Sequence, residues 1–152
     1  MPVNIDIRRA DPSDVDGLHH LILHTIRTSN AEDYEPAVLE KICADFTPAL
    51  IAAKMGERDV FVGMQHGHIA GTISLGGDRL HSLFVSPSVQ GRGIGRCMVQ
   101  FLERHARENG VSVLRLNSSI TAVPFYQKLG YRLIERHEHA KFPTILMQKS
   151  LA

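Results

Sequence analysis

The stretch from Leu80 to Ala106, LHSLFVSPSVQGRGIGRCMVQFLERHA, decides how this chain reads. An apolar, strand-like run ends at Ser86-Pro87. Gly91, Gly93 and Gly95 then stand at every second position, and a helical pattern follows at once. Glycine inside a helix costs roughly 1 kcal/mol relative to alanine. Three of them at a helix start point to something that must come close to the backbone. A helix N-terminus leaves N–H groups unpaired and carries partial positive charge, and glycine lets an anion reach those groups. Arg92 and Arg96 add charge beside them. The stretch reads as a phosphate-binding loop. The alternative is a tight strand-to-helix connection, for which a single glycine would suffice.

The kinds of phosphate site can be sorted by pattern. G-x-x-x-x-G-K-[ST] is absent. The dinucleotide fingerprint G-x-G-x-x-G fails because residue 96 is Arg. It also needs an acidic residue at the end of the next strand, where Leu116-Asn117-Ser118 stands. Nucleotide kinases and dehydrogenases are therefore disfavoured.

Composition narrows the rest. The 152 residues fit one domain, 1–152, able to bury a core without disulfides or metals. A formal net charge of +1 gives no global field for nucleic acid or anionic membrane. Cys43 and Cys97 both sit in helix-like apolar patterns, and buried free thiols are the expectation. The N-terminus carries charges where a signal peptide needs an apolar run, and no apolar stretch reaches ~18 residues. A cytoplasmic protein without a membrane span is expected.

Working outward from the glycines, residues 79–85 form a strand, and the helix after the loop carries Ile94, Met98, Phe101, Leu102 and His105 on one face. Asn109-Gly110 ends it and 111–116 form another strand. Such a strand–helix–strand crossover joins parallel strands. Upstream, 59–64 and 68–75 flank the turn QHG as a hairpin. Residues 3–9 alternate as a strand. A helix begins at Ser13 with Asp16 as its capping partner, and its apolar stripe is Val15, Leu18, Leu21, Ile22, Thr25 and Ile26. A second helix starts at Pro36, with Leu39, Ile42, Cys43 and Phe46 on its face, and a short one through Met55 follows Pro48. Residues 120–129 form a helix closed by Gly130, and strands 131–139 and 144–149 finish the chain. Setting the short helix aside, the order is βααβββαβαββ. The class is α/β (α+β), a mixed sheet with helices on its faces.

The run L-F-V-S-P at 83–87 followed by Q-G-R-G-I-G at 90–95 resembles the acyl-CoA-binding motif of the GNAT superfamily of N-acetyltransferases. The segment N-S-S-I-T-A-V-P-F-Y-Q-K-L-G-Y at 117–131 is similar to the family's next motif, an Asn at a strand end followed by A-x-x-F-Y-x-x-x-G-[FY]. The element order matches as well, so the resemblance covers nearly the whole chain. Residues 27–58 match least, where the family itself varies with its acceptors. The resemblance implies a mostly antiparallel sheet with a central parallel pair and helices on both faces, and acetyl-CoA as co-substrate without a metal. It implies that backbone groups of Leu83, Phe84 and Val85 hold the acetyl and pantetheine arm. Gly91, Arg92, Gly93, Ile94, Gly95 and Arg96 would hold the pyrophosphate, with Gln90 at the loop entrance. Asn117 and Phe125 would line the arm's channel, and Tyr126 would sit near the sulfur. Thr121 stands where relatives often carry a second Asn. Family habit and exposed sheet edges together suggest a homodimer.

Attack of an amine on a thioester needs oriented reactants, a route for the amine proton, an oxyanion donor and an acid for the thiolate. Tyr126 is the acid candidate; a core aromatic is the alternative. Relatives often place a carboxylate base on the strand at 79–85, but this strand has no Asp or Glu. Alternation puts Arg79, His81, Leu83 and Val85 on one face. His81 is therefore the base candidate, against a His that only hydrogen-bonds or positions water. His20 and His24 have zinc-like i, i+4 spacing without the Glu of H-E-x-x-H, and read as surface residues. Glu32, Asp33 and Glu35 around Tyr34 would draw a cationic amine if they are more than a solvated loop. His137-Glu138-His139 would line the acceptor site if the strand is not merely exposed. The acceptor is expected to be a small-molecule or peptide amine. A protein N-terminal or lysine acetyltransferase is the rival enzyme, and a silent acyl-CoA-binding domain the rival outside enzymes. No basic–aromatic cluster suggests RNA.

Overall fold

The computed structural model describes residues 4–138 and 143–152. Its strands are β1 (Asp6–Arg9), β2 (Asp59–Gln65), β3 (His68–Gly76), β4 (Arg79–Val85), β5 (Val113–Ser118), β6 (Arg132–His137) and β7 (Thr144–Ser150). Its helices are α1 (Val15–Ser29), α2 (Pro36–Cys43), α3 (Pro48–Glu57), α4 (Ile94–Glu108) and α5 (Val123–Lys128). The seven strands form one sheet in the order β1-β2-β3-β4-β5-β7-β6. Every neighbouring pair is antiparallel except β4 and β5, which are parallel. The expected central parallel pair is present. The last residues of the strand expected over 131–139 lie partly outside the described residues.

The helices divide between the two faces. On one face, α4 and α5 cover a core built from Ile73, Leu80, Met98, Leu102, Leu114, Leu116 and Met147. On the other, α1, α2 and α3 cover a smaller core with Leu18, Ile26, Ile51, Val60 and Val62. Helix α1 buries Leu18, Leu21, Ile22, Thr25 and Ile26, the stripe its 3.6-residue period predicts. Its entry differs from expectation. A short 3-10 turn over Pro12–Asp14 precedes it, and the capping box is Asp11 with Asp14 rather than Ser13 with Asp16. Asp11 accepts from the Ser13 N–H, and Asp14 accepts from the Asp11 N–H at 2.8 Å. Pro12 has no N–H to satisfy and suits the first position of the turn, so the cap sits at Asp11, two residues before Ser13. Arg8 also grips Asp14 at 2.7 Å and holds its carboxyl below the usual range.

Cys43 is buried as expected, whereas Cys97 is only half-buried, because Met98 and Val99 take the inward positions of that turn of α4. Both are free thiols. Among the described residues, no helix is long and apolar enough to cross a membrane.

Candidate active site

The parallel pair creates the site. The β4–β5 ladder registers at Arg79↔Arg115, and the Arg115 N–H donates to the Asp78 carbonyl at 2.9 Å. Beyond that point the β5-facing side of β4 opens onto a cleft of about 840 Å³. Its walls include all of β4, Val89 to Gly91 and Gly93 to Arg96 of the glycine loop, Asn117 to Ser119, and Phe125 and Tyr126. Asn117, 38 positions from Arg79 in sequence, accepts a hydrogen bond from the Arg79 guanidinium and donates to Thr144 Oγ1 at 3.2 Å.

Strand β4 does not alternate as its sequence predicts. Ser74 pairs with His81, but Thr72 pairs with Phe84, so Ser82 and Leu83 together oppose Ile73. Ser82 takes φ 54°, left-handed backbone that a non-glycine residue adopts only at a cost. This bulge flips the pattern midway. Leu80, Leu83 and Val85 pack with the α4 core and Phe84 with the α1–α3 core. The expectation that Arg79, His81, Leu83 and Val85 share one face is corrected: His81 points away from Leu83 and Val85. One extra residue in a ladder reverses every later side chain, and no composition signal announces it.

His81 is half-buried, with Arg58, Arg79 and Lys54 in electrostatic range. Burial first, then these cations, lowers its pKa to about 4. The imidazole is neutral at pH 7. Unfolded, it takes up a proton near pH 6.5, and folded only near 4, so stability from this group is lost as pH falls through that window. His81→Gln is expected to flatten the pH dependence of stability between about 6.5 and 4, measured by urea titrations across that range.

The glycine loop has the predicted form. Gly91 and Gly93 have φ of 79° and 84°. Gly93 is the N-cap of α4 and supplies no side-chain cap. The first helical bond is Cys97 N–H to the Gly93 carbonyl, so the N–H groups of Ile94, Gly95 and Arg96 precede it without helical acceptors. A Cβ on Gly95 would lie 3.2 Å from Phe125 Cζ, so that glycine lets the α5 aromatic close over the loop. The Gln90 amide donates to Ser29 Oγ at 2.8 Å and to the Val85 carbonyl at 3.0 Å. Ile94 is buried beneath the loop, and Arg92 is exposed beside it. A bare N-terminus, left-handed glycines and adjacent Arg96 suit a pyrophosphate, and the cleft between β4 and β5 suits an extended arm.

Tyr126 is nearly fully buried in the cleft wall. Phe125 meets it edge-on at 5.0 Å and Tyr131 at 5.8 Å. Tyr131 is anchored in turn, its hydroxyl donating to Glu103 at 2.8 Å, while Lys149 reaches the same carboxylate at 3.1 Å. Burial raises the Tyr126 phenol well above the ordinary tyrosine range.

The end of the cleft bordered by α1, α2 and the turn after α2 was the least legible in the sequence. Thr25, Ser29, Asn30, Tyr34, Ile42, Asp45 and Phe46 complete the cleft. Of the acidic cluster around Tyr34, only Asp33 bridges to another element, accepting from Thr121 Oγ1 at 2.8 Å. Thr121 thus ties the α1–α2 loop to the segment after β5. Glu32 and Glu35 stay exposed. Asp45 is a carboxylate in the wall that sequence reading missed, because a polar residue on a helix-like turn carries no distinguishing signal. His137 is half-buried at the end of β6 and pairs with Glu135, while His139 lies outside the described residues. His20 and His24 stack at 6.2 Å on the exposed face of α1, and no cluster of three metal-ligating side chains occurs among the described residues.

Comparison with known proteins agrees with this geometry. Residues 30–151 match the family described as the acetyltransferase (GNAT) domain. Peptidyl-lysine N-acetyltransferase YjaB of Escherichia coli is 30% identical over 125 residues, covering 82% of this chain and 72% of that protein. Several other curated relatives are matched over only about half of their length. A GCN5-related N-acetyltransferase from Rhodopseudomonas palustris superposes with a TM-score of 0.92 at 25% identity, covering 97% and 96% of the two chains. PaiA N-acetyltransferase from Thermoplasma acidophilum, solved with coenzyme A, superposes at 0.84 with 15% identity, covering 97% and 99%. With a splayed parallel pair, a glycine loop at a bare helix N-terminus and a family match over most of its length, this chain belongs to the GNAT family of acetyltransferases.

Proposed function

We propose that the protein moves an acetyl group from acetyl-CoA to a primary amine by direct attack, with both reactants held in the cleft. The observation that carries this reading is the glycine loop at the head of α4 continuing into the gap between β4 and β5. Backbone N–H groups of the loop, Gly91 through Arg96, hold the pyrophosphate, with Gln90 bracing the loop against α1. Leu83, Phe84 and Val85 offer backbone groups to the arm, and Asn117 and Phe125 line its path. Acetyl-CoA supplies an activated acyl carbon and a thiolate leaving group.

The chain's own groups then divide the remaining work. A backbone N–H at Phe84 or Val85 donates to the carbonyl oxygen as negative charge builds on it. The Tyr126 hydroxyl gives its proton to the departing sulfur, and burial, which raises the phenol's pKa, favours its protonated form. His81, with a pKa of about 4, is always free to accept a hydrogen bond but is a weak base. Its role in this reading is to orient the amine, or a water that carries the amine proton out, while the amine's own pKa of about 10 governs the alkaline rise in rate. The protein resembles a lysine acetyltransferase in YjaB, which favours a lysine or other peptide amine over a free metabolite.

Calorimetry with acetyl-CoA, followed by thiol release against an amine panel, tests this. Tight binding with release for some amines is the expected result. Binding with no release for any amine, peptides included, would favour a silent acyl-CoA-binding domain, and no binding would remove the reading of the glycine loop.

A further inference from the structure

The sheet carries an arginine row that the catalytic reading does not use. Arg79 on β4 registers with Arg115 on β5, Arg115 with Gln148 on β7, and Gln148 with Arg132 on β6. Residues at one level on neighbouring strands share a face. Leu80, Leu114, Leu116 and Met147 point into the α4 core, so this row points to the opposite face. The helices on that opposite face build their core from residues 10–84 alone. Over β5, β7 and β6 the face has no apolar core cluster among the described residues, and Arg132 is exposed.

Charge on this row is poorly compensated. Asp78 pairs with Arg115. Arg79 donates to Asn117, a neutral amide. The Arg132 side chain has no hydrogen bond or ion pair among the described residues. Glu135, a further carboxylate on this face, is taken by His137. Like charges facing one another across a ladder are destabilising, so folding alone gives no reason for three guanidinium groups in one row. Arg79 also lines the cleft. The row therefore runs from the acceptor end of the cleft to the edge strand. Four strands at ~4.8 Å spacing span about 14 Å, the length of about four residues of extended chain.

We infer that this row seats an acidic peptide segment that presents its lysine or N-terminal amine to the cleft. The inference rests on the reading of the cleft as an amine-acetylating site and adds the partner's chemistry to it. Arg79 takes the carboxylate nearest the amine, and Arg132 takes one about three residues away.

The test uses two fluorescent peptides of about nine residues, one with Glu flanking a central lysine and one with Gln, read by anisotropy on the CoA-loaded protein and by acetylation. The Glu peptide is expected to bind about tenfold tighter at low salt, and the gap should shrink as salt shortens the screening length. Arg132→Gln should weaken the Glu peptide about threefold, as an exposed pair allows, and leave the Gln peptide and kcat unchanged; Arg132→Lys should recover most of the loss. Equal affinity for the two peptides would overturn the inference, as would an acid preference that Arg132→Gln does not touch. So would acetylation confined to free small amines, or a change of subunit state on Arg132→Gln without a change in peptide selectivity. Acid-selective binding with no acetyl transfer would instead count against the catalytic reading and leave the surface standing.

Discussion

Tyr126→Phe is expected to lower kcat about 100-fold while acetyl-CoA affinity, measured by calorimetry, stays within about twofold. The substitution removes one oxygen and keeps the ring. Phe125 and Tyr131 can still hold that ring at 5.0 and 5.8 Å, so the wall of the cleft survives. Loss of binding would mean the residue is structural. Loss of turnover alone isolates the proton. The pH profile separates the two further. A catalytic acid must be protonated, and burial has pushed this phenol above its ordinary range. The wild-type rate should therefore show no alkaline decline assignable to Tyr126 through pH 10, where an exposed tyrosine would be ionising. A decline near 10 that disappears in Tyr126→Phe would contradict the burial seen here.

Gly93→Ala is expected to weaken acetyl-CoA binding at least tenfold. The residue sits at φ 84° as the N-cap of α4. Alanine in the left-handed region costs roughly 1–2 kcal/mol. The loop can absorb that cost by strain, or rotate out of the left-handed conformation and mis-aim the N–H groups ahead of Cys97. Either route reduces affinity, and adding Gly91→Ala, where φ is 79°, should reduce it further. Gly56→Ala is the control: it lies in α3, where the added carbon would meet nothing within 4 Å beyond its chain neighbours and its own helix backbone, and should leave binding unchanged while raising stability by about 0.5–1 kcal/mol. Equal effects from the two substitutions would show that glycine at residue 93 serves packing and not the ligand.

The regular elements were legible because their signals are local. The stripe Leu18–Ile26, the hairpin around the QHG turn and the crossover from residue 79 to the strand after Gly110 each follow from period and turn chemistry within a few residues. The glycine loop was legible for the same reason: a left-handed N-cap and a bare helix start leave a compositional trace over six positions. The capping box of α1 was misplaced by two residues because Ser13 and Asp11 both qualify, and only the proline between them chooses.

The α1–α2 side of the cleft was not legible, because its residues come from separate segments whose meeting depends on packing. Asp45, Tyr34 and Phe46 enter the cleft from a turn and a loop with no periodic mark. The Thr121–Asp33 hydrogen bond joins residues 88 positions apart. The arginine row is spelled out by four strands, and only register brings Arg79, Arg115, Gln148 and Arg132 to one level.

By itself the sequence determined the element order, the mixed sheet with its crossover, and the glycine loop at the bare head of α4, since these depend on interactions between near neighbours along the chain. Tertiary structure alone decided which way His81 faces, how acidic its imidazole becomes, and which charges border the cleft. A single bulge at Ser82 reverses a strand face, burial sets a pKa by what surrounds a group from every side, and long-range register places charges side by side.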